Sequence, residues 1–284
     1  MAMLLSASEH DIGGLNVKRI LPHMQKRMVG PFIFFDHMGP TDFDKGEGID
    51  VRPHPHIGLS TLTYLFKGSI LHRDSLGNHL EIAPGDVNWM TAGKGIVHSE
   101  RETVEVRADQ HSINGLQCWV ALPEQYAEIE PAFTHVKKQH LPHLMNEGLM
   151  IRLIVGEAYG MSSSIKTYSP MFYLDVLAHD SNQLEIPHKT YETAIYVIYG
   201  SAIVAGKTFQ TGDFVLLEAG EKSVSFSENS RIIMLGGEKF EQAPSIHWNF
   251  VSFSKERIEQ AKVDWQAGKF PNIPDDKNEF IPYK

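Results

Sequence analysis

The chain has 284 residues, an apolar content of 42% and a formal net charge of −9. That is a globular chain, long enough for one large domain or two of ordinary size and too apolar to be disordered. The negative charge, with no long basic run, excludes a nucleic-acid binder held by phosphate contacts, and a single cysteine excludes an internal disulfide.

Met1 to Leu5 lacks the basic flank of a signal peptide. No later stretch approaches the roughly 18 apolar residues of a membrane helix. A cytoplasmic protein is expected, with no membrane partner.

Short apolar runs then follow, each closed by a turn residue. Leu59–Phe66 precedes Lys67-Gly68, Asp86–Met90 precedes Ala92-Gly93, and Leu116–Leu122, which holds Cys118 as a buried thiol, precedes Pro123. Residues Pro131 to Gly148 carry prolines and polar residues without a clean period and read as a linker. The runs resume with Met150–Val155, Ala194–Tyr199 and Phe214–Leu217. Strands of this length at this spacing predict an all-β fold of barrels or sandwiches.

Two local patterns recur. Tyr64-Leu65-Phe66-Lys67-Gly68-Ser69 is echoed by Tyr196-Val197-Ile198-Tyr199-Gly200-Ser201, and Pro84-Gly85-Asp86-Val87 by Thr211-Gly212-Asp213-Phe214. Two matches in the same order indicate a duplicated barrel. The boundary falls near residue 135, giving domains 1–135 and 136–284. Ser254 to Ala267 reads as a helix capped by Ser254 and stopped by Gly268, and Phe270 to Lys284 as an extended tail.

Histidine is abundant, with 15 in the chain, so spacing must decide which of them carry chemistry. In Arg52-Pro53-His54-Pro55-His56 the two imidazoles alternate with proline. An extended backbone puts them on one face, and Pro55 favours that backbone. His98-Ser99-Glu100 repeats the spacing. Three imidazoles and one carboxylate suit Fe, Ni, Cu, Mn or Zn and leave open coordination positions. The competing reading makes His54 and His56 exposed loop residues and His98 and Glu100 a simple hydrogen-bonded pair.

The chain resembles the pirin family of the cupin superfamily. The resemblance rests on Gly30-Pro31-Phe32, Asp36-His37-Met38-Gly39-Pro40, His54-Pro55-His56, the block Trp89-Met90-Thr91-Ala92-Gly93 with its trailing His98-Ser99-Glu100, Gly115 to Val120, and Phe280-Ile281-Pro282. It implies two tandem cupin barrels, with one divalent transition metal in the first, held by His54, His56, His98 and Glu100. Iron(II) is the metal it implies, with Ni, Cu, Mn, Zn or Co also accepted. It implies as well a dioxygenase opening flavonols such as quercetin, with an aromatic enol and dioxygen as reactants and Glu100 as ligand or catalytic base. The alternative is a metal- or redox-sensing protein that regulates a protein partner. The wider cupin pattern has a Glu soon after His-x-His, where this chain has Ser60. Phe34 and Gln117 are candidates for the substrate pocket. His37 reads as structural. His188 and Glu192 of the second barrel lack a paired imidazole, so that barrel is expected to be metal-free.

Overall fold

The computed structural model describes residues 2–146 and 148–283. Its α-helices are Val104–Arg107 and Lys255–Gln266, and nearly all other regular structure is strand. The fold is all-β, and it comprises two units built to one plan.

The first unit contains a seven-stranded sheet ordered Ala132–Val136, Val87–Thr91, Leu59–Lys67, His111–Ala121, Phe32–Phe43, Leu15–Leu21, Ser8–Ile12. A four-stranded sheet runs Asp50–His56, Ile96–Arg101, Ile70–Asp74, His79–Ile82. Ile70 and Ile82 of the small sheet share a buried cluster with Val17, Met38, Leu65 and Ile113 of the large one. Side chains of two sheets meeting in one core are what makes a barrel of them.

The second unit repeats this order strand for strand. Its large sheet runs Met3–Leu5, Phe214–Leu216, Glu192–Tyr199, Ser230–Gly237, Met171–Ala178, Leu149–Ala158, His143–Asn146. Its small sheet runs Asn182–Glu185, Ser223–Phe226, Ser201–Val204, Lys207–Gln210. The duplicated turns close identically: Gly85 N–H donates to Leu65 O and Gly212 N–H to Val197 O, both at 2.8 Å. Gly68 and Gly200 both have positive φ, +81° and +76°. That conformation and the backbone or side chain packed against each site exclude a Cβ.

The compact units interleave along the chain. One comprises residues 8–19, 34–138 and 242–284; the other comprises 1–7, 20–33 and 139–241. The helix and tail fall in the unit of the first barrel. The N-terminal strand Met3–Leu5 completes the second, in the place that Ala132–Val136 takes in the first.

The expected linker is a correction. Ala132–Val136 pairs with Val87–Thr91, and His143–Asn146 with Leu149–Ala158. These are outermost strands, whose backbone bonds are satisfied without an alternating apolar face. The helix matches its expectation: Ser254 Oγ accepts from Arg257 N–H at 3.1 Å, and Ile258 and Ala261 are buried against Ile57 and Phe250. Cys118 is buried. No helix among the described residues is long and apolar enough to cross a membrane.

Candidate metal centre and its cavity

The small sheet of the first unit positions the site. Its strands Asp50–His56 and Ile96–Arg101 are antiparallel, with His98 opposite His54 and Ile96 opposite His56. Alternation puts His54 and His56 on one face, and cross-strand pairing brings His98 to the same place. One ring nitrogen from each of the three lies within 4.8 Å of the other two. His56 Nε2 and His98 Nε2 are 3.1 Å apart. The reading of His54 and His56 as exposed loop residues fails, because they are strand residues only 6% and 1% exposed.

Burial keeps these rings neutral. It lowers the pKa of His54 to about 4, against an opposing hydrogen bond to the Arg52 carbonyl. Burial first, then neighbouring histidines, holds His56 and His98 well below the ordinary imidazole value. Neutral imidazole is the form that binds a metal.

His54 Nδ1 lies 2.8 Å from Arg52 O. Donation there leaves Nε2 as the lone-pair nitrogen. His98 Nδ1 is buried without a hydrogen-bond partner, so polar anchoring of that ring falls to the Nε2 side. Two nitrogens at adjacent positions of an octahedral ion, at bonds of about 2.1 Å, would lie about 3.0 Å apart. The donor set and its spacing fit a transition metal.

Glu100 stands beside this cluster rather than within it: the donors within 4.8 Å of one another are the three histidines. A β-bulge interrupts the register between His98 and Glu100. The extra residue lies in the Asp50–His56 strand, where Arg52 and Pro53 oppose Ser99; Glu100 follows His98 by regular alternation and lines the cavity with His54 and His56. Its carboxyl pKa is raised by burial, opposed by His72 and by Thr63. Thr63 Oγ1 lies 3.2 Å from Glu100 Oε1 and 2.8 Å from Gln117 Oε1. A hydroxyl has one proton. With the Gln117 amide turned to donate to Thr63, Thr63 donates to Glu100 and the chain is satisfied.

His72 is a residue that the spacing did not single out. It is paired across the sheet with Glu100, buried, and held 3.0 Å from Asp74 Oδ2. Its ring centroid is 5.5 Å from that of His98. His72-x-Asp74 alternates on its strand, but only the long-range register brings it to the site.

The cavity is about 600 Å³, within the usual size of a small-molecule site. Phe34 and Gln117 both line it, as does Trp119, while Leu116 and Cys118 between them face the core. Phe34 and Trp119 stack at 4.0 Å and 12°, and Trp119 meets the His56 ring edge-on at 4.9 Å. The Arg19 guanidinium lies 4.4 Å over Phe34 and is held by Asp36 through bonds of 2.9 and 2.8 Å. Trp248, Asn249 and Ile281, from the C-terminal segment, complete the wall.

The remaining candidates lie elsewhere. His37 Nε2 is 2.7 Å from Asn114 Oδ1. His188 Nε2 is 2.9 Å from the Glu157 carbonyl, and Glu192 accepts from Lys26 and from Gly30 N–H at 2.6 and 3.0 Å. These contacts are hydrogen bonds and ion pairs, and none gathers the imidazoles a metal would need.

Comparison with known proteins agrees with this geometry. The family model described as Pirin matches residues 14–120, and that described as Pirin C-terminal cupin domain matches residues 173–271. A pirin-like protein of Caulobacter vibrioides is 47% identical over 99% of this chain and 98% of its own length. Rat pirin is 30% identical over 94% of this chain and 91% of its own. The crystal structure of a quercetin 2,3-dioxygenase from Acinetobacter baumannii superposes with a TM-score of 0.92 at 33% identity, over 100% of this chain and 95% of that one.

Proposed function

The chain belongs to the pirin family, and from that premise we propose that it is a metal-dependent dioxygenase opening flavonols such as quercetin. The observation that carries the reading is the cluster of three neutral, buried imidazoles against an aromatic cavity of about 600 Å³. One divalent transition metal, iron(II) first and Ni, Cu, Mn, Zn or Co after it, would be held by His54, His56 and His98, with Glu100 as fourth donor. When bound, the metal supplies Lewis-acid and redox chemistry toward an enol and dioxygen.

The chain's own groups do the rest. Phe34 and Trp119 offer a stacked aromatic wall against which a planar ring system packs. Arg19, fixed by Asp36, lays its guanidinium over Phe34 and stiffens that wall. Glu100, held by Thr63, would take the proton from the substrate's enolic hydroxyl. Its raised pKa makes it a better base than an exposed carboxylate.

The alternative is a metal- or redox-sensing protein that regulates a transcription or metabolic partner. The cavity beside the imidazoles favours a small-molecule substrate instead. The test is aerobic loss of quercetin with protein of measured metal content. Wild type is expected to turn over in proportion to bound metal and His56→Ala is not. Equal rates for the two proteins, or none with fully loaded wild type, would overturn the reading.

A further inference from the structure

The C-terminal tail makes its polar contacts with the first barrel at particular places. Ser99 Oγ donates to Asp276 Oδ2 at 2.7 Å. Arg101 Nε donates to the same oxygen at 3.1 Å and Arg101 Nη2 to Asp276 Oδ1 at 3.0 Å. Arg101 Nη2 also reaches Glu279 Oε1 at 2.8 Å. Ile281 N–H donates to Pro53 O at 2.8 Å, and Ile281 O accepts from Trp265 Nε1 at 3.0 Å.

These partners interleave with the predicted ligands. Pro53 precedes His54. Ser99 lies between His98 and Glu100, and Arg101 follows Glu100. A strand alternates its faces, so Ser99 and Arg101 turn away from the cavity, where the tail holds them. Asp276 bonds to residues on both sides of Glu100, opposite the bulge in the Asp50–His56 strand. A bulge gives up ladder hydrogen bonds, and the side-chain clamp on Ser99 and Arg101 holds their strand where the partner strand supports it least. Ser99 is fully buried and the Asp276 side chain is 9% exposed, so the clamp is largely screened from water. Two-point binding of Arg101 by a carboxylate also fixes direction as well as distance. Ile281 meanwhile ties the other ligand strand and lines the cavity itself.

The geometry points to residues 276–281 as a positioning strap for the metal centre. Asp276 sets the aim of His98 and Glu100, and Ile281 secures the His54 strand and bounds the substrate space. The strap touches neither the metal nor the donor atoms. This inference rests on the proposed metal site, but not on which substrate it serves.

The test uses the full chain with Co(II) as probe, reading its visible absorption and its affinity in competition with a chelator. Asp276→Asn keeps shape but removes the charge and one acceptor oxygen. It is expected to weaken Co(II) binding about 10-fold or more, as loss of outer support for ligands typically does, and to shift the absorption bands. Ser99→Ala, which removes one bond only, is expected to shift them in the same direction by less, and serves if Asp276→Asn does not fold. Arg257→Gln is the control. It breaks an ion pair between the C-terminal helix and the barrel, Arg257 with Glu128 at 3.0 Å, and a bond to Lys94 O at 2.7 Å, touches none of residues 98–101, and is expected to leave spectrum and affinity unchanged. Wild-type affinity and bands in both Asp276→Asn and Ser99→Ala would overturn the strap and leave the metal site standing. Absence of stoichiometric Co(II) in wild type, or equal affinity in His56→Ala, would overturn the metal reading and the strap with it.

Discussion

In the first unit Thr63 and Gln117 face each other across neighbouring strands. In the second, the repeat that aligns Tyr64 with Tyr196 puts Ile195 and Met234 there, again directly paired. The small sheets differ in the same way. Where one carries His54, His56, His72 and His98, the equivalently ordered strands of the other bury Leu184, Ala202, Val204, Val224 and Phe226 in a continuous apolar core. Yet a buried ion pair is kept in both. Asp36 with Arg19 joins the Phe32–Phe43 and Leu15–Leu21 strands; Asp175 with Arg152 joins their counterparts. The backbone plan and its charged rivet are thus common, and the filling decides. Apolar filling closes the second interior. Polar filling leaves the first with a cavity of about 600 Å³.

The comparison breaks most directly at His98. His98→Leu gives the first barrel an apolar residue of the second barrel's kind. Metal affinity should fall by more than about 100-fold, the upper range for loss of a ligand's mere supporting contacts, and quercetin turnover should fall with it. The metal-free protein should keep or raise its melting temperature, because a buried imidazole lacking a partner at Nδ1 is replaced by a hydrocarbon. Metal titration and thermal melts of the same samples check both halves. Retained metal would show that His98 is not a ligand.

Phe226→Ala inverts the test. It opens the second barrel's core and should cost about 3–5 kcal/mol of stability by denaturant unfolding. Metal stoichiometry should stay at one per chain, because among the described residues the histidines that cluster are His54, His56 and His98 of the first barrel. A second equivalent of metal, lost on His188→Ala, would break the comparison from the other side.

What the sequence made legible follows the range of each interaction. The duplicated turns were readable because Gly68, Gly85, Gly200 and Gly212 act within a few residues. His54 with His56, and His98 with Glu100, were readable because strand alternation is local. His72 was not, since only the cross-strand register with Glu100 brings it near. Nor was the bulge at Arg52 and Pro53 in the partner strand. Residues 131–148 looked like a linker because outer strands need no apolar stripe. That Met3–Leu5 completes the second unit and residues 242–284 the first depends on pairing across most of the chain, for which no short pattern exists.

Glu100→Gln should give the next largest effect. It keeps size but removes charge and basicity. If Glu100 is both donor and base, turnover per bound metal should drop by about 100-fold, the low end of what a positioned acid–base group contributes, on top of weaker binding. Equal turnover per metal would remove the base role, and equal affinity as well would remove Glu100 from the site.

Thr63→Val is the smallest change and the sharpest on the difference between the units. It moves position 63 toward the Ile195 of the second barrel, keeps the branched shape, and deletes one hydroxyl. Thr63 is buried at 3% exposure, so no bulk water replaces its bond to Glu100. The carboxylate keeps its place on the strand but loses a donor, and a hydrogen bond to a charged acceptor is worth about 1.5–3 kcal/mol. Gln117 can turn its amide toward Glu100 and recover part of that. The net expectation is a fall in turnover per bound metal of about 5- to 10-fold, with metal affinity falling far less than in His98→Leu because the three imidazoles are untouched. Adding Gln117→Met, which completes the Ile195–Met234 pattern, removes the fallback and should deepen the loss while leaving the melting temperature level or higher. If turnover per metal stays at the wild-type value in the double variant, the polar pair is inherited packing, and the contrast between the units shrinks to the histidines alone.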